Sequence, residues 1–116
     1  MREDQIQRTV FQHLRQRPAP GVFAFHPKNG GIHQRGRRRG INAGLGVVSG
    51  VPDIIAIKQG SVYALELKAD DGKPTAEQIA TMRRMQAAGA TVALATGLDA
   101  AIRKIEEWGL VQGTAA

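Results

Sequence analysis

Val51-Pro52-Asp53-Ile54-Ile55-Ala56-Ile57 and, beyond Lys58, Gln59-Gly60-Ser61 followed by Val62-Tyr63-Ala64-Leu65-Glu66-Leu67-Lys68 decide how this chain folds. Each flank is a short, largely apolar run, the first rich in β-branched residues, and the Gln-Gly-Ser between them is a tight-turn signal. The reading is an antiparallel hairpin with strands over Val51–Ile57 and Val62–Lys68. Side chains on a strand alternate between faces, so Glu66 and Lys68 share one face and Leu67 takes the other. Pairing across a turn centred near Gly60 brings Asp53 roughly opposite the stretch from Glu66 to Lys68. Two carboxylates and a lysine can therefore converge at one sheet edge, inside strands that are otherwise apolar.

Outward from the hairpin, Glu3–Arg17 has helical spacing, with Ile6, Val10, Leu14 and Phe11 on one face and Glu3 and Asp4 in the first turn, where the helix dipole favours anions. Pro18-Ala19-Pro20-Gly21 stops it. Val22–Phe25 reads as a short strand. Lys28 to Gly46 is a Gly- and Arg-rich loop, with a weak short helix expected around Arg38 to Leu45. After the hairpin, Gly72-Lys73-Pro74-Thr75 makes a turn, with Thr75 placed to cap a helix over Ala76–Ala88 that carries Ile79, Met82 and Gln86 near one face and is closed by Gly89. Ala90–Ala95 is a strand, and Leu98–Trp108 a final helix bearing Leu98, Ala101, Ile102 and Ile105. The order α-β-β-β-α-β-α describes a mixed sheet flanked by helices, a single α/β domain over residues 1–116.

Composition narrows the function. With 116 residues, 42% of them hydrophobic, the chain can bury one core, and with 4% aromatic residues that core is aliphatic. The absence of cysteine excludes disulfides and thiolate zinc sites. No apolar run reaches the ~20 residues of a membrane span, and the first residues do not form a signal peptide, so a cytoplasmic protein with no membrane partner is expected. The net charge of +6 is unevenly placed. Residues 1–52 carry a balance of +7 and residues 53–116 a balance of −1, with no acid between Asp4 and Asp53. A basic half beside a carboxylate site suits a polyanion. Lys28, Arg35, Arg37, Arg38 and Arg39 are the candidates for phosphate contact; a solvated charge run is the alternative. No aromatic residue is interleaved with them, which favours reading of duplex or branched DNA over base stacking. His26 and His33 lie close by without metal-ligand spacing.

Charges among aliphatic residues are costly unless paired or metal-bound. A hard cation such as Mg²⁺ or Mn²⁺, held by Asp53 and Glu66 with the Leu67 backbone carbonyl as a third ligand, is one solution; Lys68 would then act on the attacking water and on transition-state charge. A purely structural ion pair is the other.

Val51-Pro52-Asp53, twelve residues, then Glu66-Leu67-Lys68 resembles the PD-(D/E)xK nuclease superfamily. More narrowly the chain is similar to stand-alone VRR-NUC domains of bacterial or phage type, over nearly its whole length, through Glu3 with Gln7, the small-residue loop before Gly50-Val51-Pro52-Asp53, and Pro74-Thr75-Ala76-Glu77-Gln78. The resemblance implies a restriction-endonuclease-like fold and a bacterial or phage-infected host. It implies Glu3 as a third metal carboxylate and Gln78 in the catalytic set with Asp53, Glu66 and Lys68. By itself Glu3 is an ordinary first-turn acid and Gln78 an ordinary solvated helix residue. Val62-Tyr63-Ala64 does not reproduce the Val-Arg-Arg-like sequence of the family's name. The implied activity is metal-dependent endonucleolytic cleavage of DNA, junction-like or branched. Paired incisions would need a homodimer, for which part of the apolar segment Ile102, Ile105, Trp108, Leu110 and Val111 offers an interface anchored by Trp108; closure of the monomer's own core by Trp108 is the alternative. A non-catalytic nucleic-acid-binding protein of the same fold, or an enzyme acting on a small phosphorylated substrate, are the rivals.

Overall fold

The computed structural model describes residues 1–28 and 43–113. Helix α1 (Glu3–Gln16) leads to strand β1 (Val22–Phe25), and strands β2 (Ile54–Lys58) and β3 (Ser61–Lys68) form the hairpin. Helix α2 (Ala76–Ala87), strand β4 (Thr91–Thr96) and helix α3 (Leu98–Glu107) complete the chain. The sheet order is β1-β2-β3-β4; the first two pairings are antiparallel and β3-β4 is parallel, with α2 as the crossover. This is the mixed α/β arrangement expected, in the expected order.

Ile54, Ala56, Leu65, Leu67 and Ala95 belong to one buried cluster with Ile6, Val10, Phe11 and Leu14 of α1 and with Ala101, Ile102 and Ile105 of α3. Alternation along the strands then sends Glu66 and Lys68 to the opposite face of the sheet. The turn at Gln59-Gly60 has positive φ at both residues (51° and 81°), the conformation whose twist suits a two-residue hairpin. It fixes the register Ile54↔Leu65, which runs on to set Asp53 against Glu66.

Three departures from the expected pattern have physical causes. Strand β2 begins at Ile54, three residues later than expected. Pro52 has no N–H to give the ladder, and the Leu67 N–H is taken by a side chain, Asp53 Oδ2, at 2.9 Å. Helix α2 buries Thr81 and leaves Ile79 and Met82 half-buried and Gln86 exposed. It docks by a polar contact, the Thr81 hydroxyl donating to the Ser49 carbonyl at 2.6 Å. The apolar surplus at the C-terminus is absorbed internally: Ile102, Ile105, Leu110 and Val111 are buried, and half-buried Trp108 packs on the core with its ring 5.3 Å from that of Tyr63. These residues therefore do not form the exposed interface expected of them. Of the weak helix expected around Arg38 to Leu45, residues 38–42 lie outside the described region, and Ala43 and Gly44 are helical. Among the described residues no helix is long and apolar enough to cross a membrane.

Candidate metal centre

Three elements meet at the end of the sheet. Asp53 precedes β2, Glu66 and Lys68 sit at the end of β3, and Glu3 lies in the first turn of α1. The start of α1 is tied down by the Gln5 side chain, which accepts from the Arg2 backbone N–H at 2.7 Å. One carboxylate oxygen each from Glu3, Asp53 and Glu66 lie within 4.8 Å of one another. Lys68 Nζ stands 3.5 Å from Glu66 Oε2 and 3.6 Å from Glu3 Oε1. The sequence residues Glu3, Asp53, Glu66 and Lys68 are thus brought together, and Asp53 Oδ2 is held by the Leu67 N–H.

Glu66 is the most costly residue of the group. It is 1% exposed, and neither of its carboxylate oxygens accepts a hydrogen bond. Its pKa is pushed up to about 8, first by burial and then by the neighbouring Asp53 carboxylate; Lys68 acts in the opposite direction without offsetting them. A carboxylate so buried, beside a second carboxylate and with one ammonium at 3.5 Å, has the chemistry of a cation ligand. Two oxygens on one divalent ion, at ~2.0–2.6 Å each, stand at most about 5 Å apart, so the three-carboxylate set fits a hard ion such as Mg²⁺, Mn²⁺ or Ca²⁺.

Glycine at position 50 lets this corner close. Gly50 has φ +79°, and a Cβ there would meet the Glu77 carbonyl oxygen at 2.6 Å and the Gln78 nitrogen at 2.9 Å. The chain leading into Pro52-Asp53 thereby lies directly on the first turn of α2, the turn that carries Gln78. Gln78 completes a capping box: its side-chain Oε1 accepts from the Thr75 N–H (2.9 Å), while the Gln78 backbone N–H donates to Thr75 Oγ1 (3.1 Å). Lys28 is exposed, and Arg35, Arg37, Arg38, Arg39 and His33 lie outside the described residues.

One neighbour of the site was not among the candidates. His26 Nδ1 lies 2.7 Å from the Asp53 carbonyl oxygen, and because a carbonyl only accepts, Nδ1 carries the proton. A lone histidine after a strand has no distinctive spacing. Its position is nonetheless implied by the register Phe25↔Ile55, which extends to set His26 beside the start of β2.

No family model and no curated protein matches the chain. Among solved structures it resembles a "VRR_NUC domain protein", with a TM-score of 0.69 and 18% sequence identity, covering 100% of this chain and 97% of that one. The likeness establishes a shared fold, the mixed α/β fold expected from the sequence.

Proposed function

We propose that this chain is a divalent-metal-dependent nuclease that hydrolyses phosphodiester bonds of DNA. The observation that carries the reading is Glu66, a buried carboxylate without a hydrogen bond that stands beside Asp53 and Glu3 on a fold shared with a VRR_NUC domain protein. Mg²⁺ or Mn²⁺ is the cofactor that fits: a bound ion of this kind lowers the pKa of its water and neutralises charge on a phosphate.

The chain's own residues divide the remaining work. Glu3, Asp53 and Glu66 would hold the ion. The Leu67 carbonyl is a further donor, because N–H and C=O of one strand residue point the same way and the Leu67 N–H points to Asp53. Pro52, opposite Leu67 when the register is extended, has no N–H to satisfy that carbonyl. Lys68, held between Glu66 and Glu3, orients the attacking water and offsets charge developing on the phosphoryl oxygens. Gln78 has its side-chain oxygen committed to Thr75, so its contribution is a donor, the amide NH₂, directed to substrate. Lys28, Arg35, Arg37, Arg38 and Arg39 bind DNA phosphates.

The reading extends to branched or junction-like DNA cut by a two-fold dimer, since paired incisions need two sites. The test is cleavage of linear, nicked, flap and four-way DNAs with Mg²⁺, with Mn²⁺ and with chelator. Metal-dependent cutting, strongest on the branched forms, is expected. Binding without cutting on every substrate would mark a non-catalytic DNA-binding protein instead.

A further inference from the structure

A second feature leads away from the carboxylate cluster. An open groove of about 870 Å³ runs between α1 and β1. Arg8, Gln12 and Arg15 of α1 share its lining with Phe23, Phe25 and His26 at the β1 edge, and its described lining contains no carboxylate. The sheet order makes β1 an edge strand. Phe23 and Phe25, two residues apart on one face of that strand, are 63% and 37% exposed, with ring centroids 5.7 Å apart. Two neighbouring aromatic rings left in water on a small protein ask for a ligand with a flat apolar face. The arginines in the same lining ask for that ligand to be anionic. One lining residue, His26, also donates to the backbone carbonyl of Asp53, which places this end of the groove next to the residue that precedes β2.

We infer that this groove binds an unpaired nucleic-acid strand running from the cleavage site, with bases against Phe23 and Phe25 and backbone phosphates facing Arg8 and Arg15. The inference rests on the nuclease reading for its direction, and it names what that reading leaves open: the part of a branched substrate that the protein grips. Aromatic platforms beside a positive track are how single strands are held without regard to sequence. The basic loop lacks such aromatics, and the fold supplies them from a different part of the chain.

The test is equilibrium binding in chelator, where no cleavage occurs, by fluorescence anisotropy of a blunt duplex and of the same duplex bearing an oligothymidine arm. The intact protein should prefer the armed duplex. Phe23→Ala/Phe25→Ala should abolish that preference, weakening binding of the armed form by roughly fivefold to a hundredfold while leaving the blunt form unchanged. Arg8→Glu, a change on an exposed helix surface, should also abolish it, and this variant decides the matter if the double variant fails to fold. Equal binding of the two duplexes by the intact protein, or an arm preference that survives in the folded variants, overturns the inference. Because the readout needs no metal, an arm preference in a protein that never cuts would defeat the nuclease reading and leave the groove standing.

Discussion

At Glu66 the conflict between folding and function is concentrated in one carboxyl group. Its pKa in the fold, about 8, lies above its ordinary value of 4.5. The folded state therefore holds the proton more tightly than the unfolded chain. The stability this brings is complete below 4.5 and is lost as pH rises towards 8. Glu66→Gln keeps the neutral shape at every pH. In thermal melts of metal-free protein its advantage over the native chain should be near zero at pH 4.5, grow towards pH 8 and level off above it; a disadvantage that deepens with pH would contradict the assigned burial. A bound metal ion must displace the same proton, so its affinity should rise over this pH range. Lys68→Ala should lower turnover while metal binding, read by calorimetry, survives; lost metal affinity in a folded variant would give Lys68 a different role. Asp53 and Glu66 were legible because period-two alternation and one tight turn fix their register. Glu3 was legible only through the family resemblance, since a first-turn acid looks the same whether or not its helix ends at a metal site. His26 was not legible: nothing local distinguishes a histidine whose partner is a backbone carbonyl 27 residues away.

The hairpin shows at the level of elements what patterning reveals and what it conceals. The alternating run through Leu65-Glu66-Leu67-Lys68 and the Gln59-Gly60 turn announce two strands and their pairing. Where β2 starts is decided by Pro52's missing donor and by a side chain that takes a ladder bond, and both depend on tertiary placement. Helix α2 reads from the sequence as carrying Ile79, Met82 and Gln86 near one face; its contacts through Thr81 and the close approach of Gly50 to Glu77 are not legible there, because a glycine in a sequence does not say what comes near it. Comparing two glycines tests this packing. Gly60→Ala meets open space, so it should cost only the positive-φ penalty of about 1–2 kcal/mol. Gly50→Ala has the same backbone strain and also a clash with the Glu77 carbonyl, and denaturant unfolding should show a clearly larger loss. Equal losses would mean that this corner yields freely. Thr75→Ala removes the acceptor that caps α2 and should cost about 1 kcal/mol by the same measurement.

As a whole, the molecule joins the fold it shares with a VRR_NUC domain protein to a net charge of +6, and a polyanionic ligand would suit that charge. The open face that sequence reasoning placed at the C-terminus is filled by the monomer's own core. The exposed aromatics lie at β1, which the sequence could not mark as an edge because strand order is set by long-range pairing. The proposed dimer therefore rests on the need for paired incisions, and light scattering at micromolar concentration should give twice the mass of the 12.5 kDa chain; the monomer mass would defeat it. Replacing Arg37, Arg38 and Arg39 with Ala should weaken DNA binding and flatten its log–log salt dependence by up to ~0.9 per lost contact, whereas an unchanged slope would return these residues to a solvated charge run. The central claim is that Glu3, Asp53 and Glu66 hold an ion that the chain uses to cut DNA. Its most direct test is a cleavage time course on end-labelled branched DNA, with the native chain and Glu66→Gln purified side by side, in Mg²⁺ and in chelator. Cutting by the native chain in Mg²⁺ alone, and by the folded variant in neither, is the predicted result. Cutting that persists in chelator, or at an undiminished rate in Glu66→Gln, would contradict it.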